Sequence, residues 1–160
     1  METNHNDISN QVNVLYVDDE QTNLFSFKAS FRRDFNVLTA NSGEEALKLM
    51  ETSTIHVIVS DQRMPGMTGI ELLQQVKVKY PEPIRILLTG YADINAVIDA
   101  INKGEVYRYV TKPWNTDELK TIIIAADEIF KLRKENKALT DKLIKANEQL
   151  EFLLRQNMLS

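Results

Sequence analysis

Five short apolar runs, each followed by a stretch with helical spacing, restrict what this chain can fold into more than any other feature. The runs are residues 12–17 (VNVLYV), 35–39 (FNVLT), 56–60 (HVIVS), 84–88 (IRILL) and 108–111 (RYVT). At least three are nearly continuous in Val, Ile and Leu, the pattern of strands buried on both faces. Between them, residues 21–31 carry Leu24, Phe25, Phe27 and Phe31. SGEEALKLMETS opens with Ser42 as N-cap and Glu45 three residues on, a capping box. Residues 68–80 carry Ile70, Leu72, Leu73 and Val76 and stop before Pro81; residues 92–102 carry Ile94, Val97, Ile98 and Ile101 and stop at Gly104. Such alternation predicts a parallel sheet with helices on both faces.

The last segment breaks the alternation. From Thr116, read as an N-cap, to Asn157 there is neither Gly nor Pro, so a single helix of about 40 residues, roughly 60 Å, is expected. Only its first turns can pack on a domain this small. Counting sevens from Ile122 gives Ile129, Asn136, Leu143, Leu150 and Asn157 at a positions, with Ala125, Leu132, Leu139, Ala146 and Leu153 at d. That pattern favours a two-stranded parallel coiled coil, with Asn136 as the polar a residue that fixes register. A single helix docked on a downstream domain is the alternative.

Composition narrows the function classes. With 43% hydrophobic residues in 160, the chain can bury a substantial core and suits one domain plus an appendage. A net charge of −4 and a terminal helix without a basic stripe speak against direct nucleic-acid binding. There is no cysteine, as suits a reducing compartment. The polar start METNHNDISN lacks a signal-peptide core, and no apolar run reaches the ~20 residues of a membrane span. A cytoplasmic protein is expected. It divides into a disordered tail over 1–11, a domain over 12–130 and a coiled-coil helix over 131–160.

Open parallel sheets hold their chemistry at the carboxyl ends of the strands. Those ends here carry Asp18 and Asp19, Asp61, Thr89 and Lys112. Singly, each has a plain role as turn residue, β-former or surface charge. Together, three carboxylates at one edge repel one another unless a cation sits among them, and such hard oxygens suit Mg²⁺. Lys112 supplies a positive charge for a phosphoryl oxygen and Thr89 a hydroxyl donor.

In VLYVDDE, VIVSDQRMPGMTG, ILLTG and YVTKP the chain resembles the receiver domain of two-component response regulators, from about residue 12 to 130. The resemblance implies an α/β fold, a doubly wound, flavodoxin-like five-stranded sheet of order 2-1-3-4-5, extended here by the long helix. It implies Asp61 as phosphoacceptor for a histidine kinase or phosphotransfer protein. Asp19, Asp61 and the Arg63 backbone carbonyl would ligate Mg²⁺, with Asp18 acting through water. Lys112 would pair with the phosphoryl group, Thr89 hydrogen-bond it and Tyr109 act as an aromatic switch. The Lys112–Pro113 bond would be cis, and Gly69 would match a loop glycine. Arg63 and Tyr91 would flank the path of attacking water and slow acyl-phosphate hydrolysis. LLTGYAD with YRYVTKPW is similar to receivers joined to HD-GYP phosphodiesterase or transcription-activating ATPase modules, so a downstream effector is expected beyond Ser160. No enzymatic activity is expected of this segment beyond self-phosphorylation and autodephosphorylation. Two alternatives stand beside this reading. One is a pseudo-receiver that binds partners without phosphorylation, although no acid and no lysine is missing. The other is a haloacid-dehalogenase-like phosphatase, which Asp18-Asp19-Glu20-Gln21-Thr22 approaches but which leaves Asp61 without a role.

Overall fold

A computed structural model describes residues 11–159; the tail expected over 1–11 lies outside them except for Gln11. Five strands form one parallel sheet: β1 (Asn13–Val17), β2 (Asn36–Ala40), β3 (Val57–Asp61), β4 (Ile84–Thr89) and β5 (Arg108–Thr111), in the order β2-β1-β3-β4-β5. The expected order holds. Between them run α1 (Gln21–Phe31), α2 (Gly43–Thr52), α3 (Gly69–Lys79) and α4 (Ile94–Asn102), and α5 (Thr116–Leu159) closes the chain.

Alternation along each strand divides the core. Val14, Tyr16, Val57, Val59, Ile84, Ile86 and Leu88 face α1 and α5, where they meet Phe27, Phe31, Leu119, Ile123 and Phe130. Leu15, Val17, Ile58 and Leu87 face the other way, onto Ala46, Leu72, Leu73, Val76 and Val97 of α2, α3 and α4. β1, β3 and β4 are the interior strands of the sheet; helices cover both their faces, which is why their sequences are nearly unbroken apolar runs.

Local signals set the helix ends. Ser42 Oγ accepts from the Glu45 N–H at 3.2 Å and Thr68 Oγ1 from the Glu71 N–H at 3.2 Å, so each cap satisfies a free first-turn donor. Two boundaries differ from expectation. The α5 N-cap is Asn115, not Thr116: Asn115 Oδ1 accepts from the N–H groups of Asp117 and Glu118, at 2.9 and 3.1 Å. The segment expected to be helical from 92 begins as a 3-10 turn over Tyr91–Asp93, ahead of α4.

α5 has 44 residues, roughly 66 Å at 1.5 Å per residue. Its buried residues end at Phe130, and each described residue from 131 onward is exposed. Ile122 and Ile129, the first two a positions of the heptad pattern, are partly buried against the α1/α5 core. The open stripe therefore begins at Leu132 and continues through Leu139, Leu143, Leu150 and Leu153, all more than half exposed. Asn136 and Ala146 lie on the same exposed stretch. Where α5 leaves the domain, Lys131 pairs with Asp127 one turn back in the same helix, at 2.8 Å, and Lys137 reaches Glu82 ahead of β4, at 3.7 Å.

Candidate functional site

The carboxyl ends of β1, β3, β4 and β5 meet at one edge. Asp18 directly follows β1, Asp61 is the last residue of β3, Thr89 the last of β4, and Lys112 follows β5. Register holds them together: Asp61 pairs with Leu88 across β3 and β4, Thr89 pairs with Thr111 across β4 and β5, and the Lys112 N–H donates to the Thr89 carbonyl at 3.0 Å.

Among the described residues, one cluster of three acids brings its ligand atoms within 4.8 Å of one another: Asp18, Asp19 and Asp61. They differ sharply in environment. Asp18 is wholly buried, and its oxygens accept from the Tyr16 hydroxyl at 2.7 Å, the Asn23 amide at 3.1 Å and the Glu20 N–H at 3.0 Å. Asp19 is exposed and Asp61 buried at the rim. Burial pushes the Tyr16 hydroxyl far above its ordinary value, and the hydrogen bond to Asp18 pushes it further. Tyr16 thus stays a donor to Asp18.

Lys112 Nζ lies 2.5 Å from Asp61 Oδ1. Burial raises the Asp61 carboxyl above its usual range, and the Lys112 hydrogen bond and charge oppose that rise. The Lys112–Pro113 bond is cis, as the family resemblance implied. Beyond it Trp114 packs on Phe27 and Phe31, with ring centroids 6.0 and 5.6 Å away. A cleft of about 450 Å³ opens beside the lysine, lined by Tyr16, Asn23, Ser26, Lys112, Pro113 and Trp114.

The loop from Asp61 to α3 is fastened through Gln62. Its side-chain oxygen accepts from the Ile70 N–H at 2.9 Å, and its carbonyl accepts from the Gly69 N–H at 3.0 Å. Gly66 turns the loop with φ +77, a value that favours glycine. Gly69, expected in the loop, is the first residue of α3 and packs directly under the Asp61 backbone. The Thr89 hydroxyl donates to the Gly90 carbonyl at 3.1 Å. Tyr109 lies on β5 beside Leu87 and is partly buried against the α2/α3/α4 core. Arg63 projects outward, and its Nε lies 3.4 Å from Asp93 Oδ2. Tyr91 opens the 3-10 turn after β4.

Tyr16, Asn23, Gln62 and Asp93 were not among the expected site residues. Tyr16 reads as one more apolar strand position, and the others as helix or loop polarity. Tyr16, Gln62 and Asp93 stand inside the quoted motifs VLYVDDE, VIVSDQRMPGMTG and LLTGYAD, the one signal that could have found them, and Asn23 carried none.

The donor set is all oxygen, from carboxylates close enough to share an ion, and so fits Mg²⁺.

A family model described as response regulator receiver domain matches residues 14–124. The chain is 35% identical over 128 residues to the hydrogenase transcriptional regulatory protein HoxA of Bradyrhizobium diazoefficiens, covering 80% of this chain and 26% of that protein. It thus spans about a quarter of the length of that relative. Among solved structures, one described as adenylate cyclase from Rhodopirellula baltica matches with TM-score 0.80 and 34% identity, over 82% of this chain and 98% of that one. The response regulator TrrA of Thermotoga maritima, solved in complex with Mg²⁺ and BeF, matches with TM-score 0.65 and 29% identity, over 72% and 98%.

Proposed function

We propose, for a chain that belongs to the response regulator receiver domain family, that Asp61 takes a phosphoryl group from a phosphohistidine. The phosphorylated state is then read through α5. Receiver domains are phosphorylated on an aspartate with Mg²⁺ and act as signalling domains rather than as the output enzyme. The observation that carries the residue assignment is Asp61 at the end of β3, within 2.5 Å of Lys112 Nζ and clustered with Asp18 and Asp19.

The chemistry follows from those neighbours. An Asp61 oxygen attacks phosphorus and the new O–P bond forms as the N–P bond to imidazole breaks; that bond's electron pair returns to the ring nitrogen, and the histidine leaves as neutral imidazole with the proton already on its other nitrogen. The carboxylate must be ionised to attack. Burial works against that, and the Lys112 hydrogen bond and charge oppose the effect of burial. Lys112 then stays close to a phosphoryl oxygen, and Thr89 turns its hydroxyl from the Gly90 carbonyl toward the new anion. Tyr109, on the neighbouring strand, takes up the space that movement leaves. Asp19, Asp61 and the Arg63 carbonyl would hold Mg²⁺. Asp18, whose oxygens already accept three hydrogen bonds, would act through water. Bound there, the ion offsets the repulsion between carboxylates and phosphoryl group.

The output is a parallel homodimer through the α5 stripe from Leu132 to Leu153, with Asn136 setting register. The dimer couples two receivers to a downstream effector. Its kinase or phosphotransfer partner would be met in the cytoplasm; no described helix is long and apolar enough to cross a membrane.

Light scattering after size exclusion tests both halves, with and without Mg²⁺ and beryllofluoride, on the wild type and Asp61→Asn. The expected result is a dimer throughout, whose elution shifts with beryllofluoride only when Asp61 is intact. No shift and no Mg²⁺ binding would instead mark a pseudo-receiver. A monomer in every condition would remove the coiled coil.

A further inference from the structure

Two lips stand above the carboxyl edge of β3 and β4. One is the loop after Asp61, the other the 3-10 turn after Thr89; because β3 and β4 are neighbours in the sheet, the lips face each other. A cleft of about 500 Å³ lies between them, lined by Gln62, Arg63, Met64, Pro65, Thr68 and Asp93. A single ion pair crosses it among the described residues, from Arg63 on one lip to Asp93 on the other, 30 residues away in sequence. The arginine side chain is 75% exposed and the aspartate 32%. Packing therefore does not hold the arginine over the cleft; its partner does.

We propose that Asp93 is a positioning residue for the lifetime of the acyl phosphate. It ties Arg63 across the cleft as a latch that restricts water. The inference rests on the receiver reading of Asp61. Hydrolysis requires a water oxygen to attack phosphorus as the P–O bond to Asp61 breaks. Inorganic phosphate leaves and the Asp61 carboxylate is restored, with the water's protons passing to phosphate and solvent. In-line attack comes from the side opposite Asp61, the outer side; Arg63, two residues beyond Asp61 and tied to Asp93 on the facing lip, is the group the proposal sets in that path. Freed from Asp93, Arg63 is a long solvated side chain that occupies that space only part of the time. The latch joins the loop of the phosphoacceptor to the turn that follows Thr89.

An exposed pair is weak, so the expected effect is modest: the phosphoryl lifetime shortens about two- to five-fold, the upper figure being roughly 1 kcal/mol. The full chain is loaded with labelled phosphoramidate and Mg²⁺, the donor is removed, and label remaining on the protein is followed with time. Asp93→Asn and Arg63→Gln should each shorten the lifetime, and the double variant should be no shorter-lived than the faster single one. The swap Arg63→Asp with Asp93→Arg should recover most of the wild-type lifetime, which a merely structural role would not. Raising ionic strength from ~0.01 to ~1 M should shorten the wild-type lifetime and leave Asp93→Asn unchanged. A wild-type lifetime in Asp93→Asn, or single effects that multiply in the double variant, overturns the latch alone. Failure of the wild type to take label in an Asp61-dependent way overturns the receiver reading and the latch with it.

Discussion

Gly69 is the position where the site and the fold press hardest on each other. It begins α3, and an added Cβ would lie 2.8 Å from Leu87 Cδ1, 3.0 Å from the Asp61 carbonyl carbon and closer still to that carbonyl's oxygen. An ordinary carbon–oxygen contact is about 3.3 Å or more, so Gly69→Ala must drive α3 and the end of β3 apart by about 1 Å. The opposing atoms are mostly backbone and cannot rotate away. Overpacking of this kind costs about 1–3 kcal/mol or more, and the rigid neighbours place this case near the upper end. With a urea dependence of about 1–3 kcal/mol per molar for a domain this size, the midpoint should fall by about 1–3 M. Two other glycines calibrate the result. At Gly43 the three atoms nearest the added carbon all belong to the Met67 side chain, and the tightest, Sδ at 2.5 Å, lies toward its flexible end. At Gly90 nothing lies within 4 Å and φ is −80, so alanine should be neutral or stabilise by a few tenths of a kcal/mol through the unfolded chain. The expected order of urea midpoints is Gly90→Ala at or above wild type, then Gly43→Ala, then Gly69→Ala. Because the clash falls on the Asp61 backbone, Gly69→Ala should also lose phosphoryl uptake beyond its loss of stability. A Gly69→Ala midpoint equal to that of Gly43→Ala would refute the close-packing argument.

Two further perturbations probe the opposite end of the sheet and the exposed helix. His56 Nδ1 accepts from the Asn13 N–H at 2.8 Å, its ring packs edge-on against Phe130, and burial lowers its pKa, with Asp127 opposing and Lys131 and Lys134 assisting. A base whose folded pKa is depressed leaves more protons on the unfolded chain. Stability is thus full above the unfolded value of about 6.5 and lost as pH falls below it. Urea midpoints at pH 7.5 and 5.5 should show that loss in the wild type and a smaller one in His56→Gln, and equal losses would refute it. Leu139 is 59% exposed, well past the last buried residue of α5. Leu139→Asp should therefore convert a dimer to a monomer in sedimentation while leaving the receiver's urea midpoint unchanged; a mass that does not change would rule out the stripe as the interface.

What could be read from the sequence was whatever depends on near neighbours in the chain. β1, β3 and β4 announce themselves because burial on both faces leaves no polar position to interrupt them, and Ser42 and Thr68 cap helices within three residues of their own position. Asp18, Asp61, Thr89 and Lys112 were legible because each stands at the end of such a run, so the topology that orders the strands also gathers the side chains. Where two adjacent residues compete for one role, sequence is blind: Asn115 and Thr116 can both cap a helix, and only the path of the chain after Trp114 decides for Asn115. It is equally blind to partners made by folding. Arg85 looks like an intrusion in IRILL, yet it is buried at the start of β4, where its guanidinium reaches the carbonyls of Pro81, Pro83, Gly104 and Glu105. Tyr16 looks like core, yet it orients Asp18. Asp93 looks like a helix-start acid, and its distance from Arg63 in sequence conceals that the two face each other across the cleft. Motif spacing thus reveals which groups can carry the chemistry. How long the product of that chemistry survives is governed by groups such as Asp93 that come from other elements, and only the assembled sheet edge brings them into reach.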